Sequence, residues 1–152
     1  METQGLLEIA DEIAVEAHVD QTDKIGRPYI EHPRRVAQRV RDAGGNPEQV
    51  AAALLHDVIE DSALTADDLR ARGIPDTVIG AVEALTKRDG EPYEEAVARA
   101  ARHPLAALVK RCDVADNSDP QRLAEIEDVA TRRRLEQKYA VGRRVLDEHI
   151  EP

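Results

Sequence analysis

His56, Asp57, Glu60 and Asp61 bring an imidazole and three carboxylates into six positions, directly after the apolar run Ala51-Ala52-Ala53-Leu54-Leu55. Charges next to so apolar a segment are costly unless they are paired or coordinate an ion. A bound metal is therefore the economical explanation. On a helix Glu60 follows His56 by four residues and Asp61 follows Asp57 by four. All four side chains then share one broad face, and Leu54, Leu55, Val58 and Ile59 cover the rest. Such a face can hold a cation and still leave acids free for proton transfer.

Two further segments carry compatible chemistry. Pro28-Tyr29-Ile30-Glu31-His32-Pro33 sets His32 at a helix start, where Pro33 suits the first turn. In Val109-Lys110-Arg111-Cys112-Asp113-Val114-Ala115-Asp116-Asn117, Asp113 and Asn117 lie four apart on one helical face, with Lys110 one turn before Asp113. His18, His103 and His149 have no such surroundings and read as structural or surface residues. Lys24, Arg27, Arg34, Arg35 and Arg39 cluster in sequence around His32, either as a basic patch for an anion or as an ordinary solvated helix face.

The elements that must position these residues read as helices divided by Gly and Pro, with no alternating strand pattern. Leu6, Ile9, Ile13, Val15 and Ala17 predict a first helix through about His18, followed by a loop from Asp20 to Pro28. A second helix runs from about Ile30 to Ala43, and Gly44-Gly45-Asn46-Pro47 stops it. Pro47 opens a third helix that bears the His-Asp pair. A short helix capped by Thr65 follows, then a helix after Gly73-Ile74-Pro75 through Leu85 and a turn at Arg88-Asp89-Gly90. Helices over about Tyr93–Arg102, Leu105–Asn117 and Gln121–Glu148 complete the chain, the last with a break near Asp128. The fold class is all-α, in a single domain over residues 1–152.

Composition narrows the function. A length of 152 residues is enough to bury a core without disulfides or structural zinc, and Cys112 is the only cysteine, which fits a reducing cytoplasm. Hydrophobic segments are short and interrupted by charge, and Met1-Glu2-Thr3-Gln4 lacks the basic start of a signal peptide, so neither membrane nor secretion is expected. A formal charge of −10 argues against nucleic acid as a partner.

Taken together the motifs resemble the HD-domain metal-dependent phosphohydrolases, and within them the hydrolase domain of RelA/SpoT-type alarmone enzymes. The likeness runs through Ala17-His18, Gln21, Lys24, Gly26, Pro28-Tyr29-Ile30, His32-Pro33 and Val36-Ala37. It continues through Ala53-Leu54-Leu55-His56-Asp57 with Glu60-Asp61, Leu85-Thr86-Lys87, Val109-Lys110, Asp113 and Asn117, over about positions 5 to 148. No synthetase or regulatory region accompanies them, so the closest likeness is to the stand-alone small alarmone hydrolases. That resemblance implies a compact HD-domain helical bundle, as a monomer or homodimer. It also implies removal of the 3′-pyrophosphate from guanosine tetra- and pentaphosphate (ppGpp and pppGpp) with Mn2+, or with Fe2+ or another divalent ion.

Carried over motif by motif, the resemblance implies His32, His56, Asp57 and Asp113 as metal ligands, Glu60 and Asp61 as the acids beside the attacking water, and Lys24, Tyr29, Lys110 and Asn117 as substrate contacts. Asp116 stands where the family commonly has an aromatic residue or His and is not expected to be a ligand. Two imidazoles and two carboxylates would neutralise a divalent ion, favour Mn2+ or Fe2+ over a structural thiolate zinc site, and leave positions open for water and phosphate. One departure bears on the substrate. Asp23 precedes Lys24 where the family carries an Arg that stacks on guanine, and a carboxylate there is expected to repel phosphates.

Three functions follow for test: alarmone pyrophosphohydrolase, an HD phosphohydrolase for another nucleotide or phosphate ester, and a catalytically inactive metal- or nucleotide-binding module. Glu60 and Asp61 speak against the last, because a binder has no use for spare acids beside its ligands.

Overall fold

The computed structural model describes residues 2–149; residue 1 and residues 150–152 of the expected 1–152 domain lie outside the described residues. Among the described residues the regular structure is helical: α1 Thr3–Ala17, α2 Glu31–Asp42, α3 Pro47–Leu55, α4 Val58–Asp61, α5 Ala66–Ala71, α6 Asp76–Leu85, α7 Tyr93–Ala101, α8 Ala106–Asn117, α9 Pro120–Ala124 and α10 Val129–Glu148. Among the described residues the one strand-like pairing is an isolated bridge between Thr22 and Pro28, which closes the loop before α2. None of these helices is long and apolar enough to cross a membrane.

Two apolar clusters form the core. The larger joins α1, α2, α3 and α6 through residues such as Ile13, Val36, Val40, Leu55, Val78 and Val82, all essentially without solvent exposure. The smaller joins α7, α9 and α10 through Val97, Leu123, Leu135, Tyr139 and Leu146. Helix α8 belongs to both, with Val109 and Cys112 in the first and Val114 in the second. It is therefore a shared wall, and it carries Lys110, Asp113 and Asn117.

Side-chain caps fix where α3 and α5 begin. The Asn46 side chain accepts from Gln49 N–H at 2.8 Å while the Gln49 side chain accepts from Asn46 N–H at 2.9 Å, and Pro47 fills the first helical position. This capping box satisfies donors that the first turn would otherwise leave open. Thr65 and Asp68 repeat it at the start of α5.

The expected continuous helix across His56–Asp61 is broken. Helix α3 ends at Leu55 and α4 starts at Val58. The cause is local: His56 Nδ1 donates to Ala53 O at 2.6 Å, so the imidazole takes the carbonyl that a continuous α-helix would offer to the Asp57 N–H. Asp57 sits in the bridge region with φ −104° and ψ 0°, a conformation common among active-site residues. The 121–148 segment divides into α9 and α10 on either side of residues 125–128, at the break expected near Asp128.

The α2–α3 corner, which sets His32 against His56, depends on a residue without a side chain. A Cβ on Gly45 would lie 2.9 Å from Val40 O and 3.1 Å from Leu108 Cδ2, against α2 and α8. Gly45→Ala is expected to destabilise the protein by about 1–3 kcal/mol through overpacking, seen as a clear fall in thermal midpoint. A variant as stable as the wild type would show that the corner adjusts freely.

Candidate functional site

A buried cluster of titratable groups lies where α2, α8 and the α3–α4 break meet. His32, His56 and Asp113 are buried, and each offers a ligand atom within 4.8 Å of the others. His32 Nε2 is 3.0 Å from Asp113 Oδ1, and His56 Nε2 is 3.3 Å from the same oxygen. Asp57 Oδ2 lies 3.0 Å from His56 Nε2 and 3.8 Å from His32 Nε2. The four residues expected as ligands therefore converge. Three of them form the tightest set, and Asp57 reaches it because the helix breaks.

Whether this set suits a metal can be read from hydrogen bonding. His56 Nδ1 faces a carbonyl oxygen, which only accepts, so Nδ1 carries the proton. His32 Nδ1 lies 2.7 Å from Asp116 Oδ2 and donates to it. Both imidazoles thus turn Nε2 toward the carboxylates, and His56 Nε2 is buried without a hydrogen-bond partner. Neutral rings would set lone pairs against carboxylate oxygens. Either both rings are charged or a cation lies among them, and the donor set fits a divalent ion.

Electrostatics agree. Burial opposes the charged form of His32, yet hydrogen bonds to Asp113 and Asp116 outweigh it and raise the pKa. Burial also opposes the charge of His56, and the carboxylates of Asp57 and Asp113 lift it well above the usual imidazole range. Asp113 is held well below the usual carboxylate range: burial works against the charge, but Lys110 and His56 prevail.

A cavity of about 540 Å³ opens on this cluster, and the other expected site residues line it. Glu60 and Asp61 are both on its wall. Glu60 Oε1 accepts from Lys87 N–H at 2.9 Å. Asp61 is pushed up to about 6, by partial burial first and then by the Asp57 and Glu60 charges. A carboxyl titrating there can both accept and return a proton near neutral pH.

The four expected substrate contacts divide. Tyr29 Oη donates to Asp57 Oδ2 at 2.6 Å, Asn117 Nδ2 to Asp113 Oδ1 at 3.0 Å, and Lys110 Nζ to Asp113 Oδ2 at 3.0 Å. These three hold the carboxylates of the imidazole–carboxylate cluster in place. Lys24 lines the cavity without such a tie.

The basic patch around His32 is not realised. Arg27 bonds Glu31, Arg34 bonds Asp11, and Arg35 and Arg39 reach Asp116 and Asp119, all away from the cavity lining. Asp23 is not a free charge repelling phosphate either. Its Oδ1 accepts from Ile25 and Arg27 N–H, and its Oδ2 is 3.3 Å from Arg122 Nη2. The carboxylate organises the loop and neutralises an arginine brought in from α9.

Two residues matter more than the sequence suggested. Asp116 is 1% exposed, and it is lowered to about 2: burial resists the charge, and the bonds from His32 and Arg35 overcome it. It fixes the His32 ring from behind, and its spacing of three from Asp113 was the available signal. His18, buried against the Tyr29 ring, donates from Nδ1 to Gln21 Oε1 at 2.8 Å, while Gln21 Nε2 donates to Asp61 O at 2.9 Å. His18 therefore braces the segment that carries Asp61.

Two outcomes are expected. Carboxylates behind metal-binding imidazoles contribute roughly 10- to 100-fold to affinity, so Asp116→Asn should weaken divalent-metal binding by that order in a direct titration; unaltered affinity would show that the His32 ring is fixed without it. The second concerns pH. His32 and His56 both have folded-state values above 6.5, so the stability they give the metal-free protein is complete below that pH and is lost as the pH rises through the folded values. A divalent ion takes the place of those protons, so the gap in thermal midpoint between metal-loaded and chelator-treated protein should widen from pH 6 to pH 8.5. A constant gap would exclude metal binding at these imidazoles.

Known proteins match this arrangement. The family described as HD domain matches residues 10–146. The chain is 35% identical over 116 residues to the guanosine-3′,5′-bis(diphosphate) 3′-pyrophosphohydrolase of Aquifex aeolicus (strain VF5), covering 71% of this chain and 16% of that protein. It is 36% identical over 113 residues to the GTP pyrophosphokinase of Streptomyces coelicolor, covering 72% of this chain and 13% of that one. The chain thus spans about a sixth or less of the length of these curated relatives. A solved structure, described as a metazoan ortholog of SpoT that hydrolyzes ppGpp, superposes with a TM-score of 0.79 at 25% identity over 95% of this chain and 85% of that one. Motif, geometry and family match agree over nearly the whole length, and the chain belongs to the HD-domain family.

Proposed function

We propose that the protein is a metal-dependent phosphohydrolase that removes the 3′-pyrophosphate of ppGpp and pppGpp. The observation that carries this reading is the cavity wall itself, where a buried imidazole–carboxylate cluster stands beside two further acids, Glu60 and Asp61. Support comes from a relative named for this activity in Aquifex aeolicus and from the structural neighbour described as hydrolyzing ppGpp.

His32, His56, Asp57 and Asp113 would hold the ion, with Mn2+ or Fe2+ matching their mixed nitrogen and oxygen donors. When bound, it supplies Lewis-acid polarisation of the scissile phosphate and makes water a better nucleophile at neutral pH. The residues of the chain do the rest. Tyr29, Lys110 and Asn117 keep the ligand carboxylates in one orientation. Asp61 takes the proton of the attacking water and returns one to the leaving oxygen; its pKa is held up by burial first, then by the Asp57 charge and by Glu60, which the Lys87 N–H fixes. Lys24 meets the substrate phosphates. A reducing, cytoplasmic setting goes with the lone buried Cys112, and a monomer or homodimer is what the resemblance implies.

The loop before α2 favours a second reading, an HD phosphohydrolase for another nucleotide, because Asp23 stands where the resemblance calls for a guanine-stacking Arg. The test is a panel of ppGpp, deoxynucleotides and nucleoside monophosphates incubated with Mn2+-loaded protein, with released pyrophosphate and phosphate measured. The expected result is pyrophosphate from ppGpp, and a loss of on the order of a hundredfold in Asp61→Asn with metal still bound. Turnover of the other nucleotides but not ppGpp would replace the first reading by the second. No turnover of any compound would leave a binding module.

A further inference from the structure

The chain has four lysines among its twenty-one basic residues, and all four, Lys24, Lys87, Lys110 and Lys138, line the one cavity described above. The arginines behave differently. Most are ion-paired over the surface, and Arg122, the one arginine on the cavity wall, is paired with Asp23. Of the lysines, Lys110 has a carboxylate partner, Asp113 at 3.0 Å. Among the described residues Lys24, Lys87 and Lys138 have none within 4.0 Å. In a chain of formal charge −10 carboxylates are abundant, yet these three exposed lysines face one concavity without a carboxylate partner, an arrangement that suits an anion.

Lys138 is the best defined of them. It stands on α10 with its Nζ 4.8 Å from the centre of the Tyr93 ring and 5.7 Å from that of Tyr139. Lys110 Nζ is 5.8 Å from the centre of the same Tyr93 ring. The hydroxyl end of Tyr93 lies against Gly142, where a Cβ would come within 2.5 Å of it. The Tyr93 ring thus stands between an ammonium paired with Asp113 and a second ammonium that has ring contacts and no carboxylate partner.

We propose that Lys138, together with Lys24 from the loop before α2, forms a second anion subsite that takes a phosphate group of the substrate other than the one cut at the metal-binding cluster. The subsite rests on the function proposed above and adds to it a specificity residue, Lys138, that reads the phosphate group of the substrate that is not cut. Burial lowers the pKa of Lys138, and the charges of Lys110 and Lys24 lower it further. A bound phosphate relieves that repulsion, since it meets cations from two walls that no carboxylate of the protein bridges. Lysine suits this task, because its compact ammonium follows a phosphate without requiring bidentate geometry.

The experiment compares ppGpp with guanosine 3′-diphosphate, which has the same scissile group and base but no 5′-diphosphate, in wild type, Lys138→Gln and Lys138→Arg. A charged hydrogen bond to phosphate corresponds to roughly tenfold or more in affinity, so the wild-type preference for ppGpp should fall about tenfold in Lys138→Gln, carried by KM, and be largely kept in Lys138→Arg. A Lys138→Gln preference equal to that of the wild type overturns the subsite. So does an equal loss for both compounds, which would mean that Lys138 only supports Tyr93. If the wild type turns over neither compound, dissociation constants from calorimetry replace KM in the same comparison. The subsite then stands or falls by the ratio of the two, while the missing turnover counts against the proposed reaction alone.

Discussion

Asp113 is the point on which the rest of the molecule depends. It is 6% exposed and negatively charged, and four side chains converge on its two oxygens: His32 from α2, His56 from the end of α3, and Lys110 and Asn117 from α8. An isolated carboxylate in such a position would cost several kcal/mol, and removing one partner of a buried pair typically costs about 3–5 kcal/mol. The apolar packing of α2 and α3 on α8 therefore cannot form without also assembling the imidazole–carboxylate cluster. Fold and site are one construction.

The same requirement accounts for the break after Leu55. A continuous helix would keep one backbone hydrogen bond, worth about 1 kcal/mol net. Breaking it lets the His56 ring take the Ala53 carbonyl, which fixes its tautomer, and brings Asp57 within 3.0 Å of His56 Nε2. The electrostatic stake at the cluster is larger than one hydrogen bond, so the break wins. Tyr29 then holds Asp57 through a 2.6 Å bond and stands between it and His18.

Much of this was legible in the sequence. An imidazole and acids beside an unbroken apolar run, His32 before Pro33, and the Asp113–Asn117 spacing are local patterns, and each side chain arrives where its pattern says. Helix ends were legible for the same reason, because Gly44, Asn46, Pro47 and Thr65 act on their own neighbours. What stayed hidden depends on partners far along the chain. Asp23 reads as a charge hostile to phosphate until Arg122, ninety-nine residues away, is seen beside it. Arg35 reads as half of a basic patch until Asp116 claims it. The helix break was hidden too, since a four-residue spacing suits a continuous helix and the competing bond depends on a rotamer.

The charge of the protein acquires a different sense once its distribution is known. A net of −10 argues against an anionic ligand only if the charge is spread evenly. Here the arginines are largely consumed in ion pairs such as Arg34–Asp11, Arg35–Asp116 and Arg99–Glu91, while every lysine lines the cavity. Two of the cavity carboxylates, Asp57 and Asp113, belong to a set that fits a divalent ion, and Asp23 is matched by Arg122. With an ion bound, the field inside the cavity would be positive although the molecule is acidic. Association with a polyanion is then governed by that local field at short range, because at physiological ionic strength the outer charge is screened beyond about 8 Å.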